Sequence, residues 1–410
     1  MILKWFLTAS VAMSAIGAAS GQFTRVIAFG DSLTDRGNTV AEFGILLNGT
    51  DAYNSNFYAN GRWSDGPLWI EIVNDQFGNG AWSRNGGSAF SIGSNFAWGG
   101  STSGSGRTSG VLDNLQTQIL SYRLNAVMGP IVSAPDTKLF SIWSGGNDVI
   151  NAVQGGKSIN VGALSTTMAN NIAQAVTTLY NLGGRHFIVP NLPDLARKPN
   201  YRTDPFLAGQ ASAIVNAYNP KLAAKLESLQ KDLSGITIYA FDAFSILNEV
   251  IATPGQFGLL DVTQPAYVSD PSLPLRGYVR NLPGSYLFWD TTHPTTAGHV
   301  ILGQNALELI ARGPGATVGR DVTKPKVRFV RRSTRVRGET LRLVGRASDD
   351  GPLDRVEWKL NRSKYQPARR TERWRAKIAL EPGKNVVRVR AVDVAGNVSR
   401  VRRYVVELPR

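Results

Sequence analysis

Four short blocks along this 410-residue chain carry the groups that acyl transfer needs. Gly30-Asp31-Ser32-Leu33 offers a serine hydroxyl. Gly99-Gly100 offers backbone N–H groups with no side chain in the way, and Gly145-Gly146-Asn147-Asp148 offers a side-chain amide. Asp290-Thr291-Thr292-His293-Pro294 offers a carboxylate three residues before an imidazole. A hydroxyl becomes a nucleophile when a neighbouring base takes its proton, and the tetrahedral oxyanion that follows needs fixed donors. Each block alone is a weak signal, because Ser after Gly-Asp also suits a helix cap and Asn also suits a turn. Four blocks in one order point to a single purpose, ester hydrolysis through an acyl-enzyme.

Ser32 is the candidate nucleophile. Imidazole titrates at about pH 6.5 in water, which suits a general base at neutral pH. The chain has three histidines. His299 falls beside the apolar-periodic run 300–310 and His186 opens an apolar strand, so both read as structural and His293 is left as the base. A tight loop would let Asp290 fold back onto His293 Nδ1, holding its tautomer; Asp290 could also cap the turn that opens a helix at Pro294. For the oxyanion, Ser32 and Gly100 offer backbone N–H groups and Asn147 its side-chain amide. Spacing alone does not separate Gly100 from Gly99. Cysteine is absent, which excludes thiol catalysis and thiolate metal sites, and no His-Glu-x-x-His pattern occurs.

The elements that must position these groups are visible as patterns. Apolar runs at 25–29, 138–143, 187–189 and 236–239 end at turn residues. Between them Met168, Ile172, Val176 and Leu179 recur at helical spacing, as do Leu222, Leu226 and Leu229. Strand–helix alternation predicts an α/β fold with a parallel sheet covered on both faces. In such sheets the site lies beyond the carboxyl ends of the strands, and Ser32, Gly99, Gly100 and Asn147 each follow an apparent strand.

Composition divides the chain. Residues 1–20 read as a secretory signal: Lys4 precedes a short apolar stretch, and Ala18-Ala19-Ser20 offers a cleavage site before Gly21. The protein is therefore expected outside the cytoplasm, secreted or periplasmic. Residues 321–410 hold 25 of the 45 basic and 10 of the 30 acidic residues, so the whole net charge of +15 lies in the last 90 residues. Gly and Pro at 313–323 mark a linker between a domain at 21–312 and one at 324–410. In the latter, Trp374, Ala376, Ile378 and Leu380, then Val387, Val389 and Ala391, alternate with polar residues, which predicts a small all-β sandwich. If Arg373, Arg375, Lys377, Arg388 and Arg390 all face outward, they form one cationic face suited to an anionic polymer or a membrane surface. Export argues against nucleic acid as its partner.

On these blocks the chain resembles the SGNH, or GDSL, hydrolase family over about residues 23–312, with further likeness at Asp35, Gly37-Asn38, 60–67, Asn95-Phe96-Ala97, Asn191-Leu192-Pro193 and Phe288-Trp289-Asp290. The branch is that of secreted esterases, lipases and phospholipase- or haemolysin-like enzymes. The resemblance implies a flavodoxin-like three-layer α/β/α sandwich and no metal or organic cofactor. It implies Ser32 as nucleophile, Asp290 and His293 as the rest of a triad, and Gly100 and Asn147 as oxyanion donors. Asp35 and Asn38 are expected to brace the nucleophile turn. Many relatives carry cysteines before the Asp-x-x-His block and this chain has none, so the stretch 254–285 is expected to be held differently, with Phe257, Leu259 and Leu260 shaping an acyl pocket. Residues 324–408 resemble a bacterial Ig-like domain, with Asp393, Gly396 and Asn397 in a turn. The leading expectation is a secreted esterase, lipase or phospholipase acting on acyl esters of a lipid or small molecule. A second is an acetyl esterase acting on polysaccharide. A third, of another class, is a secreted binding protein that works through the basic domain and carries a silent hydrolase domain.

Overall fold

The computed structural model describes residues 23–47, 53–77, 94–128, 137–156, 158–313, 324–330, 335–348, 353–393 and 398–409. The expected leader 1–20, linker residues 314–323 and the turn residues Gly396 and Asn397 lie outside the described residues. The chain divides into two compact units, Met1–Gly319 and Arg320–Arg410.

In the first unit four parallel strands pair in chain order: β1 (Arg25–Gly30), β2 (Lys138–Trp143), β3 (His186–Pro190) and β4 (Thr237–Phe241). They are near-continuous apolar runs because both faces of the sheet are covered. Val26 and Ala28 point into one core, with residues of helices α2 (Trp69–Gln76), α7 (Ala243–Ala252) and α8 (Thr296–Arg312). Ile27 and Phe29 point into the other, with α3 (Leu115–Met128), α4 (Gly146–Gln154), α5 (Val161–Asn181) and α6 (Pro205–Asp232). The result is a three-layer α/β/α sandwich. The helical periodicity of the sequence has its expected cause: Met168, Ile172, Val176 and Leu179 are all buried on α5, and Leu222 and Leu226 on α6.

Residues 94–98 run beside the free edge of β1. Ala28 N–H donates to Ser94 O (2.8 Å), Phe96 N–H to Ala28 O (2.7 Å) and Trp98 N–H to Gly30 O (3.1 Å). The chain thus leaves β1 to one side and continues to β2 on the other. The carboxyl ends of β1 and β2 flank a topological switch point, where a crevice must open. Helix α1 (Asn38–Leu47) follows the turn after β1. Strands β5 (Asp261–Pro265) and β6 (Tyr286–Phe288) pair in parallel and lead to the loop before α8.

The second unit is a pair of antiparallel sheets. One holds Lys326–Phe329, Arg335–Arg337, Thr340–Ser348 and Arg375–Ala379; the other holds Leu353–Leu360, Gln366–Pro367, Gly383–Asp393 and Arg402–Leu408. Trp374, Ala376, Ile378, Leu380, Val387, Val389 and Ala391 form the core between them. The single cationic face is corrected. Arg375 and Lys377 are exposed on one sheet, whereas Arg388 and Arg390 belong to the other. Arg390 is half-buried on Glu357 (2.6 Å) and the Tyr365 ring, and Arg388 donates to Asn361 O (3.0 Å). Residues on the outer faces of two packed sheets point in opposite directions, so the basic residues are divided between two faces.

Candidate active site

The crevice begins where β1 ends. Gly30 adopts φ +147°, and a Cβ there would run into the Trp143 carbonyl of β2, so only glycine lets the two strand ends approach. Gln118 holds this corner from both sides, accepting from Gly30 N–H and donating to Gly30 O, each at 2.9 Å. Asp31 O then accepts from Thr34 N–H (3.0 Å) and Asp35 N–H (2.9 Å), closing a tight turn that carries Ser32. Asp35, fully buried, accepts from Gly37 N–H (2.8 Å), Asn38 N–H (2.6 Å) and Gly99 N–H (2.9 Å). Asn38 Nδ2 donates to Asn95 O and Ala97 O. Asp35 and Asn38 therefore tie the serine turn to the 95–99 segment across the sheet edge.

The imidazole arrives from the loop between β6 and α8. Asp290 Oδ1 accepts from Thr292 N–H and His293 N–H, and its Oδ2 lies 2.7 Å from His293 Nδ1. Helix α8 is capped by Thr295, whose hydroxyl accepts from Gly298 N–H, so the capping task does not fall to Asp290. On the far side of the ring, His293 Nε2 lies 2.8 Å from Ser32 Oγ. An ionised carboxylate only accepts, so Nδ1 carries the proton and Nε2 is the acceptor for the serine hydroxyl. Burial pushes the Asp290 carboxyl up, but His293 and the hydroxyl of Tyr58 outweigh it and hold it below its ordinary value.

Two neighbours complete the arrangement. Tyr58 Oη donates to Asp290 Oδ2 at 2.7 Å, and the Trp63 ring lies 5.5 Å from that of His293. Neither role is legible in the local sequence. The one signal was their position in or beside the 60–67 block, and their function depends on contacts about 230 residues away in the chain.

The two adjacent glycines differ sharply. Gly99 N–H is committed to Asp35 Oδ2 and Thr39 Oγ1, and a Cβ there would strike the Trp63 indole. Gly100, at φ +82°, lines the crevice, and among the described residues no acceptor engages its N–H or that of Ser32. Asn147 Nδ2 donates one hydrogen to Ser101 O (2.9 Å), leaving the other free to reach the crevice. Neither remaining histidine reaches Ser32. His299 is buried, accepts from Trp69 N–H, and is pushed down to about 3 by burial. His186 packs on Phe23. Among the described residues, no group of three His, Asp or Glu is placed to hold a metal ion.

Ser32, Gly100, Asn147 and His293 open onto a cavity of about 300 Å³ whose walls include Leu33, Trp143, Ile150, Leu195, Leu247, Phe288 and Leu302. The expected contribution of Phe257, Leu259 and Leu260 is corrected. Leu259 is buried in the core, Phe257 packs against it and Leu260 is exposed; none lines this cavity. Leu260 N–H donates to Ser285 O and β5 pairs with β6, which draws the segment away from Ser32. The 254–285 stretch instead reaches the other side of His293. There Pro265 and Tyr267, with Tyr58 and Trp63, line a second cleft of about 550 Å³.

The chain is 27% identical over 325 residues to a GDSL esterase/lipase of Arabidopsis thaliana, covering 68% of this chain and 85% of the relative. It is 23% identical over 356 residues to the phosphatidylcholine-sterol acyltransferase of Aeromonas hydrophila, covering 75% of this chain and 97% of the relative. Among solved structures it is similar to a member of the lipolytic G-D-S-L family from Veillonella parvula, at 16% identity and a TM-score of 0.36, over 70% of this chain and 98% of the other. Residues 26–306 match the family described as GDSL-like Lipase/Acylhydrolase, and the chain belongs to that family of carboxylic ester hydrolases.

Proposed function

We propose that this protein cleaves acyl esters through an acyl-enzyme on Ser32, with His293 as the proton shuttle and Asp290 as its orienting partner. The observation that carries the reading is the continuous hydrogen-bonded line from Ser32 Oγ to His293 to Asp290, opening onto an apolar cavity. Ser32 Oγ attacks the ester carbonyl while Nε2 takes its proton, and the imidazolium that forms is stabilised by Asp290. The oxyanion is received by the N–H groups of Ser32 and Gly100 and by the Asn147 amide. Collapse expels the alcohol, which takes the proton back from Nε2. Water then enters and attacks the acyl carbonyl while Nε2 takes its proton; collapse breaks the bond to Ser32 Oγ, which takes that proton back from Nε2, and the acid leaves. The apolar walls favour an acyl chain over an acetyl group. Hydrolysis of p-nitrophenyl esters from acetate to palmitate tests this. The expected result is a rate that rises with chain length beyond acetate and is lost by several orders of magnitude in Ser32→Ala. An acetate optimum would favour the carbohydrate esterase reading, and equal rates for both proteins would refute the hydrolase reading.

We also propose that the protein is exported and that its second unit meets an anionic headgroup surface. The leader-like residues 1–20 support the first, and N-terminal sequencing of exported protein should begin at Gly21. The second is supported by Arg342 and Lys377, which are exposed and directly opposed across two strands. Like charges so placed cost stability unless something anionic offsets them. Binding to phosphatidylglycerol vesicles should weaken steeply with added salt; salt-independent binding would refute the electrostatic reading.

A further inference from the structure

Lys198 is a buried cation inside the candidate active-site cavity. It is 3% exposed, yet it lines the same space as Ser32 and His293. It is held there by its neighbours in sequence. The turn Leu195–Arg197 precedes it, and Pro199 opens the next helical turn and restricts Lys198 to extended backbone. Its ammonium sits 3.7 Å from the centre of the Tyr201 ring. That contact covers one side of the charge and satisfies none of its three N–H donors in a directional way.

Among the described residues, no carboxylate lies within 4.0 Å of the Lys198 ammonium and no acceptor is hydrogen-bonded to it. Two carboxylates of this unit, one buried and one partly buried, have direct partners. Glu71 is clamped by Arg36 and Arg62, each at 2.7 Å, and Asp290 is held by His293 and Tyr58. Asp194 lines the same cavity, but it is committed to Ala196 N–H, Ser212 Oγ and Arg197. Burial pushes the Lys198 ammonium down to about 8, with Asp290 opposing the shift, so the group is mostly cationic at neutral pH. A buried charge with no partner is costly, and the cost is relieved when a ligand brings the partner.

We propose that Lys198 receives an anionic oxygen group, a carboxylate or a phosphodiester, carried by the ester that Ser32 attacks. The cavity would then select anionic acyl esters over neutral ones of the same shape. The proposal rests on the hydrolase reading above, and its test separates the two.

Two matched pairs of soluble esters locate the charge. Mono-p-nitrophenyl glutarate against its neutral isostere p-nitrophenyl 5-methylhexanoate places it on the acyl side, and dihexanoyl phosphatidylmethanol against dihexanoylglycerol places it on the alcohol side. The wild-type protein should prefer the anionic member of one pair. Lys198→Met should lower the anionic-to-neutral ratio of kcat/KM roughly 30-fold, and Lys198→Arg should retain much of the preference. A second arm needs no turnover. In Ser32→Ala, hexanoate or hexyl phosphate should raise Tm where hexanol does not, and Lys198→Met added to it should abolish the shift. Ester hydrolysis with a ratio unchanged by Lys198→Met, or with both esters falling together, overturns the role of Lys198. An anion-dependent Tm shift without hydrolysis of any ester overturns the hydrolase reading and leaves the anion site standing.

Discussion

Tyr58→Phe separates positioning from chemistry at this site. The hydroxyl is buried, donates to Asp290 Oδ2 at 2.7 Å, and stays protonated because burial and the Asp290 charge push its pKa well above the ordinary range. A hydrogen bond to a charged group nets about 1.5–3 kcal/mol. The ring keeps its contacts with Tyr53 (5.0 Å), Tyr267 (5.5 Å) and Trp289 (6.2 Å), so phenylalanine leaves no cavity. The effect on kcat is smaller, because the bond is present both before and during the proton transfer. Its loss also makes Asp290 a better partner for the imidazolium, which offsets some loss of orientation. The expected outcome is a stability loss of about 2 kcal/mol with a fall in kcat of less than about 10-fold. The pH dependence gives a second check. Asp290 has a folded pKa below the ordinary 3.8, so its contribution is present above that value and lost as pH falls through the folded pKa. The stability gap between wild type and Tyr58→Phe should therefore be full at pH 7 and close in strong acid. The assay is thermal unfolding of the first unit from pH 2 to 8, beside kcat on p-nitrophenyl butyrate. A fall in kcat near 10³-fold with unchanged Tm would refute this reasoning and place Tyr58 in the chemistry itself.

Other outcomes follow from the same geometry. Asn147→Ala removes one oxyanion donor and should lower kcat by about 10²–10³ while leaving KM for a soluble ester nearly constant; a change confined to KM would assign Asn147 to substrate binding. His299 is buried neutral with its pKa pushed down to about 3, so its contribution to stability is complete above about pH 6.5 and is lost as pH falls toward 3. His299→Gln should flatten that part of the Tm–pH curve, and an unchanged slope would mean another group sets the acid limb.

How far the sequence could be read depended on how local the determining contacts were. The central strands were legible because a parallel sheet covered on both faces is predominantly apolar, and β2, buried at every position, carries only Lys138 and Ser141 among its apolar residues. Ser32 and Asn147 were placeable because strand ends in such a sheet converge. The Asp290–His293 pair was placeable because its loop spans three residues, and the observed turn is closed by Asp290's own bonds to Thr292 and His293. The second unit shows the limit. Period-two alternation gave its core residues, but Arg375 and Arg388 look alike in sequence, and only the pairing of their strands puts them in different sheets. Tyr58 meets Asp290 across 232 residues of chain, and Lys198 lines the cavity of Ser32, with no spacing rule that could announce either.

The adjacent glycines carry the same lesson further. Gly99 and Gly100 are equivalent by composition and spacing, yet a backbone N–H can stabilise an oxyanion only if nothing else has claimed it. Asp35 and Thr39 claim the one at Gly99, and both acceptors stand in the stretch just after Ser32. The stretch that carries the nucleophile therefore also pins the neighbouring loop and leaves Gly100 N–H unclaimed beside Ser32. Asp35 links the serine turn and the donor loop into one rigid piece. For that reason a change at Asp35 should disturb attack and oxyanion binding together, while a change at Asn147, which hangs from a separate strand end, should disturb only the latter.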